Sequence, residues 1–180
     1  SATAAQAARA GLEIFDIEMP SDHAGMGDIM ELKDGTLLLA LHNSPVKVPN
    51  RGILARTSKD RGRTWSEQFI LVPHLRGGAE HEQAAYGHPS LLRLPNGDIL
   101  LFYIVITQTT YFGLSPLRYS SAGTEGRGLT YSAHSYCRRS ADEGKSWSDQ
   151  YMVTPQPGSI EVHNAKFLVL SSGRIIAPVS

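Results

Sequence analysis

The sequence predicts an all-β fold and, more specifically, a portion of a β-propeller. Short apolar or alternating segments separated by turn residues dominate the chain, and amphipathic helical patterns are nearly absent. Glycine turns recur three times in similar surroundings, and a phrase of the form Ser-x-Asp-x-Gly-x-Thr/Ser-Trp occurs twice. Because propellers are built from four-stranded antiparallel units in series, these observations favour that architecture.

The chain begins with a lead-in, residues 1–24, in which residues 2–15 could form one short helix or a flexible segment. Beyond the lead-in, alternating and apolar runs predict β-strands. The predicted strands are residues 28–32, 36–42, 52–58, 67–73, 90–94, 98–106, 149–155, 165–170 and 174–179.

Three similar turns connect pairs of these strands. Asp-Gly and Asn-Gly favour two-residue hairpin loops, because both central residues of such loops need a positive φ that these side chains tolerate. We therefore expect two-residue hairpins at Asp34-Gly35, Asn96-Gly97 and Ser172-Gly173.

Alignment on the turn glycines reveals an internal repeat, with copies at residues 25–40, 87–102 and 163–178. The propeller portion, residues 25–180, then divides into a blade at 25–73, a blade at 87–155 and a partial blade at 163–180. A polar insertion rich in Gly and Ser, residues 107–129, predicts a long surface loop in the second blade. Since a propeller closes with four or more blades, we expect the remaining blades from the rest of a longer chain or from another chain.

The repeated phrase predicts a self-contained turn between the third and fourth strands of a blade. An Asp carboxylate accepts backbone N–H groups, Gly supplies an unusual φ, the hydroxyls bond locally, and Trp packs as an apolar plug. The residues concerned are Ser58, Asp60, Gly62, Thr64 and Trp65 in the first copy, and Ser140, Asp142, Gly144, Ser146 and Trp147 in the second. Asp60 and Asp142 occupy equivalent turns of different blades, so we do not expect them to be the paired carboxylates of a glycosidase.

The phrases "SKDRGRTW" (58–65) and "SADEGKSW" (140–147) resemble the Asp-box, or bacterial neuraminidase repeat, of the sialidase-like superfamily. The resemblance implies a six-bladed propeller and a glycoside hydrolase of the exo-α-sialidase type. It further implies a glycan or acidic-sugar ligand and a secreted or periplasmic location. Sialidases of this kind hold the substrate carboxylate with three arginines and use a Tyr–Glu nucleophile with an Asp acid/base.

The sequence departs from that catalytic pattern at two places. The positions of the first family arginine hold Gly25, Gly87 and His163. The segment 42–57, in which the acid/base Asp is expected, contains no Asp or Glu. The resemblance therefore extends to the scaffold rather than to the sialidase site, and the alternative is a non-catalytic carbohydrate-binding or interaction propeller that lacks these arginines. In either case we expect no hydrolase activity from this chain alone, because it lacks half of the blades.

Other polar residues are predicted to surround one opening of the propeller, where the lead-ins to the first strands meet the loops after the second strands. The lead-ins carry Asp22, His23 and the segments 79–88 and 161–164, and Asn43 follows from the second strand. We expect Glu80 or Glu82 as general acid or base. The expected ligand-binding residues are His42, His88, His163 and Asn164. The alternative is that all of these are ordinary polar loop residues.

Several classes of function are not expected. Lys plus Arg and Asp plus Glu each total 17, so net charge indicates no nucleic-acid or anionic-membrane partner. The apolar runs are too short to span a bilayer. Glu80, His81 and His88 match no close metal-ligand spacing, so we expect no metal and no cofactor. The lone Cys137 is interpreted as a small buried apolar residue, and Arg174 as an ion-pairing residue rather than a substrate clamp.

Overall fold

The computed structural model describes residues 24–43, 52–73, 82–111, 128–156, 160, 162 and 167–178. These residues form β-strands and turns without any α-helix, and the strands pair antiparallel within each sheet. The predicted all-β fold is therefore confirmed. Within the same ranges there is no helix with the length and apolarity needed to cross a membrane. The proposed N-terminal helix at 2–15 lies outside the described residues.

The strands form two four-stranded sheets and one short hairpin, each ordered as in the sequence. The first sheet contains β1 (Ala24–Glu31), β2 (Leu37–Asn43), β3 (Gly52–Ser58) and β4 (Phe69–Pro73). The second sheet contains β5 (Glu82–Arg93), β6 (Ile99–Tyr111), β7 (Gly128–Ser140) and β8 (Tyr151–Met152). The hairpin consists of β9 (Leu168–Val169) and β10 (Ile175–Ile176). Two meandering sheets followed by an opening hairpin are the arrangement predicted for a partial propeller.

The strands of the second sheet extend into the segment predicted to be an inserted loop. Residues 107–111 belong to β6, and pairing with β7 continues to Tyr111 opposite Gly128. The difference from the expected loop at 107–129 has a simple cause, since threonine and tyrosine favour strands and continue the ladder although the composition is polar. Residues 112–127, between the two strand ends, lie outside the described residues.

The three hairpin turns differ from the predicted two-residue form. In each turn the glycine N–H donates to the carbonyl three residues earlier, and the pair that closes the loop spans four residues, as in Leu32 N–H to the Thr36 carbonyl at 2.8 Å. Gly35, Gly97 and Gly173 have φ between 80° and 93°, whereas the residue before each has no positive φ. These are three-residue loops in which only the glycine is left-handed, so Asp34 and Asn96 need not adopt the costly conformation.

Alternation along the strands builds two separate apolar cores. Alternate residues of β6 point to opposite faces, so Leu101 and Tyr103 face the first sheet while Leu100 and Phe102 face the β9–β10 hairpin. The first core joins the two sheets through eleven buried residues, among them Leu38 and Ile53. In the second core, the ring centroids of Phe102 and Phe167 lie 3.5 Å apart at an interplanar angle of 14°.

Polar contacts also join the first two sheets. The Asp28 carboxylate on β1 accepts hydrogen bonds from the Leu91 N–H at 2.9 Å and the Ser90 hydroxyl at 3.2 Å, both on β5. Near the hairpin tips, Arg93 donates to the Glu31 carbonyl at 3.1 Å. These bonds fix the position of the second blade relative to the first, and so position every residue at their junction.

Candidate functional site

The first Asp-box turn is held by hydrogen bonds among its own residues. The Ser58 hydroxyl donates to Asp60 Oδ1 at 2.8 Å and accepts the Gly62 N–H at 2.7 Å. The Asp60 carboxylate accepts the Thr64 N–H at 2.8 Å and the Thr64 hydroxyl at 2.6 Å. These bonds account for the alternating spacing of the phrase.

The second Asp-box turn repeats the same bonds. Ser140 donates to Asp142 at 2.8 Å, and Asp142 accepts the Ser146 N–H at 2.9 Å and the Ser146 hydroxyl at 2.5 Å. Hydrogen bonds to the Thr64 and Ser146 groups lower the pKa of Asp60 and of Asp142 to about 2. At neutral pH both carboxylates are therefore ionised and hydrogen-bonded within their own turns, whereas a general acid must carry a proton.

The tryptophans of the two boxes are buried at their indole nitrogens. Neither the Trp65 nor the Trp147 Nε1–H has a hydrogen-bond partner among the described residues. Trp147 packs against the core between the first two sheets, and a Cβ at Gly144 would contact Leu38 of the first blade at 3.4 Å. The second box thus packs against the preceding blade.

One feature of the boxes is not evident from the motif. The residue before the box glycine, Arg61 in the first turn and Glu143 in the second, is also left-handed, with φ of 62° and 59°. The Glu143 carboxylate accepts both guanidinium Nη atoms of Arg93, at 2.8 and 2.9 Å, and the Lys33 N–H at 2.9 Å. These bonds, led by the one from Arg93, lower the pKa of Glu143 to about 2.

The junction of the first two blades holds a second polar feature, a pair of imidazoles. His42 lies near the end of β2, and His88 lies within β5. Their ring centroids are 5.5 Å apart and the rings meet edge to face at 77°. A Cβ built on Gly87 would lie only 2.3 Å from His42 Nδ1, so the imidazole occupies the space that any other residue at position 87 would need.

The backbone around His88 is unusual. The register of β5 against β6 shifts between Gly87 and Ser90, and His88 has a φ of 49°. The first blade has a bulge at the equivalent place, between Ala24 and Gly27. A left-handed residue other than glycine costs free energy, and such residues are concentrated at binding and catalytic sites.

Burial determines the chemistry of His42. Desolvation, together with the charge of the neighbouring His88, lowers the pKa of His42 below its ordinary value. Its Nδ1 atom is buried and has no hydrogen-bond partner among the described residues. At neutral pH the side chain is therefore an uncharged imidazole, able to donate or accept one hydrogen bond at each ring nitrogen according to its tautomer.

Among the residues that the structure describes, His42 and His88 are the two predicted site residues that it brings together. Glu82 is the first residue of β5, where its backbone pairs with Thr109. The Arg174 side chain is exposed on the turn preceding β10. Outside the described residues lie Asp22, His23, Glu80, His81, His163 and Asn164.

No triad of His, Cys, Asp or Glu side chains gathers as metal ligands within the described ranges. Cys137 is half-buried, and burial raises the pKa of its thiol to about 11. The close fit of His42 against Gly87 could not be predicted from the sequence, because it depends on how β2 and β5 of different blades are juxtaposed. The sequence offered one signal for this fit, namely a glycine at position 87, where the sialidase pattern has an arginine.

Two meandering sheets, each with an Asp-box turn before its fourth strand, define the chain as a portion of a sialidase-like β-propeller. The chain belongs to the BNR repeat-like domain family, whose model matches residues 52–180. No curated protein matches the chain.

Solved structures with the same fold include sialidases and a lyase. A mutant of the NanB sialidase from Streptococcus pneumoniae has a TM-score of 0.58 at 12% identity, over 89% of this chain and 41% of that protein. The Hadza microbial sialidase Hz136 has a TM-score of 0.55 at 18% identity, over 88% and 32%. A polysaccharide lyase described as an ulvan lyase has a TM-score of 0.51 at 17% identity, over 74% and 28%. The chain thus spans less than half the length of each of these proteins.

Proposed function

We propose that the chain belongs to a glycan-acting enzyme, a sialidase-like glycoside hydrolase for which an acidic sugar is the ligand. Membership of the BNR repeat-like family supports this proposal, and the two sialidases share the fold. The ulvan lyase is likewise a protein that acts on a polysaccharide. What these neighbours have in common is a carbohydrate substrate, although fold alone does not determine chemistry.

The observation that carries the proposal for this chain is the His42–His88 pair. Two imidazoles meet at the junction of two blades, one of them on a left-handed residue inside a bulge. Imidazoles are suited to binding sugar hydroxyls and carboxylates and to transferring protons near neutral pH. We assign the pair to the predicted opening, together with Glu80, Glu82, His163 and Asn164 as candidate acid/base and ligand-binding residues.

A second candidate function is carbohydrate binding without hydrolysis. The arginine of the sialidase pattern is replaced by Gly25 and Gly87, and at Gly87 the space beside the backbone is occupied by His42. An arginine cannot be accommodated there unless His42 moves. The described structure is equally compatible with a propeller that retains its Asp-boxes and binds sugars through imidazoles without hydrolysing them.

One set of assays separates the two functions. We expect the chain to bind acidic glycans on a glycan array, with binding reduced by H42A and by H88A but not by the exposed control R174Q. A fluorogenic sialoside and an acidic polysaccharide then test turnover, the latter followed by the ultraviolet absorbance of unsaturated products. Binding with turnover supports the hydrolase or, with unsaturated products, a lyase. Since the chain covers less than half of each sialidase that it resembles, we expect no turnover from this chain alone, and absence of turnover supports the second candidate only when it is measured on the complete propeller. Absence of glycan binding contradicts both.

A further inference from the structure

The two ring nitrogens of His42 differ in their surroundings. His42 is half-buried, but its Nδ1 is inaccessible and lies against the backbone of Gly87. The portion of His42 that remains accessible therefore lies away from Nδ1. If a ligand contacts this ring, the nitrogen available to it is Nε2.

The environment of Nδ1 also decides which tautomer is stable. A proton on Nδ1 would be a buried donor with no acceptor among the described residues, and an unpaired buried donor is costly, more so when the ring is charged. An unprotonated Nδ1, whose lone pair is left without a donor, costs less free energy than a buried N–H without an acceptor. The neutral imidazole with its proton on Nε2 is thus favoured over both the other tautomer and the imidazolium.

We propose that His42 is a positioning residue fixed as the neutral Nε2–H tautomer, and that it donates this proton in a hydrogen bond to an acceptor oxygen of the glycan. This inference rests on the proposed function, because it assigns a role to one residue of the same site. The ligand group it specifies is a sugar hydroxyl, ether or carboxylate oxygen, bound without requiring a charged His42.

The charge of the neighbouring ring agrees with a neutral His42. Within the described ranges of the chain, His88 is the titratable group whose charge acts on His42, and it opposes protonation of His42. The neighbouring imidazole therefore adds to the effect of burial.

Nuclear magnetic resonance of the free protein tests the tautomer directly. With uniform 15N labelling, we expect His42 Nδ1 to show the shift of an unprotonated ring nitrogen and Nε2 that of a protonated one at about pH 7, above the ordinary histidine pKa. The Nδ1–H tautomer, or a charged His42 at this pH, would overturn the inference while leaving the proposed function intact.

Titration with N-acetylneuraminic acid and with D-glucuronic acid tests the ligand contact. We expect the bound sugar to move the Nε2 resonance of His42 and to leave Nδ1 unprotonated. H42A should lower the affinity about tenfold, the loss of one hydrogen bond, whereas H42Q should recover some of it through its amide N–H.

Substitution of Gly87 tests the packing that fixes the tautomer. A methyl group at G87A meets His42 Nδ1, so we expect mixed tautomers and weaker sugar binding. The control is R174A, an exposed side chain next to the different β9–β10 hairpin, where truncation creates no steric contact with the pair. If G87A does not fold, the spectra of the unmodified protein still decide. Sugar binding that leaves His42 Nε2 unmoved contradicts the inference alone, and absence of binding at every pH contradicts the proposed function as well.

Discussion

At the scale of single residues, each Asp-box is stabilised by an ionised carboxylate. Asp142 accepts two hydrogen bonds from Ser146 and one from the Ser140 hydroxyl, and Asp60 has the matching set. The sequence suffices to predict these bonds, because all partners lie within seven residues and the spacing permits few other arrangements. It does not suffice for Glu143, because Arg93 is brought near by strand pairing within the second sheet and Lys33 by the packing of two blades.

The low pKa of the box carboxylates predicts a loss of stability in acid. A carboxyl with a folded-state pKa of about 2, below the ordinary 3.8, stabilises the fold fully above about pH 4 and loses that effect as pH falls towards 2. We expect thermal unfolding temperatures to drop over this interval. The double variant D60N/D142N should be less stable at neutral pH and show a smaller drop, as measured by circular dichroism. An unchanged acid dependence in the double variant would contradict this account.

At the scale of structural elements, alternation is what the sequence predicts best. Residues of β6 divide between two cores as the period of two requires, and β6 continues beyond the predicted strand 98–106 to Tyr111, where polar composition suggested a loop. The hairpin loops differed from prediction because a dipeptide such as Asp34-Gly35 is compatible with more than one loop length. The loop length is determined by hydrogen bonds between the residues that flank each loop.

The turn of the second Asp-box also joins two elements of different blades. Because Glu143 is partly exposed, we expect E143Q to lower the free energy of unfolding by only about 1 kcal/mol. The E143Q effect should shrink at high salt, since screening weakens an exposed ion pair. Denaturant titration at low and high salt measures both. The control K145Q alters an exposed neighbour in the same turn, and an equal loss of stability in K145Q would mean that turn conformation, rather than the ion pair, is responsible.

At the scale of the whole molecule, apolar side chains are exposed on the two outer faces of the stack formed by the two sheets and the β9–β10 hairpin. On the first sheet, Ile29 and Ile70 are 48% and 50% exposed, on the face opposite to the first core. On the β9–β10 hairpin, Leu168 and Ile176 are 61% and 44% exposed. Such faces are covered by neighbouring blades in a closed propeller, which is the arrangement we propose for the complete protein.

Stability should be unequal along the stack. The β9–β10 hairpin has two paired residues in each strand and is packed mainly through Phe167 on Phe102, whereas β6 is paired on both sides. Amide hydrogen exchange should thus be slowest in β6 and fastest in β9 and β10. F167A should remove about 3–5 kcal/mol from the hairpin's attachment and raise its exchange rate without changing that of β2. Uniform acceleration across all strands would show instead that the stack unfolds as one unit.

The opposite charges at equivalent positions of the two box turns have a consequence for folding. Repeats of similar sequence can exchange partners before the correct assembly is reached. Glu143 suits the cations of Arg93 and Lys33, whereas Arg61, its counterpart in the first turn, would be repelled by both. A misassembled intermediate with the first turn in the second turn's place is therefore penalised electrostatically, so that this ion pair helps to enforce the order in which the repeats are arranged.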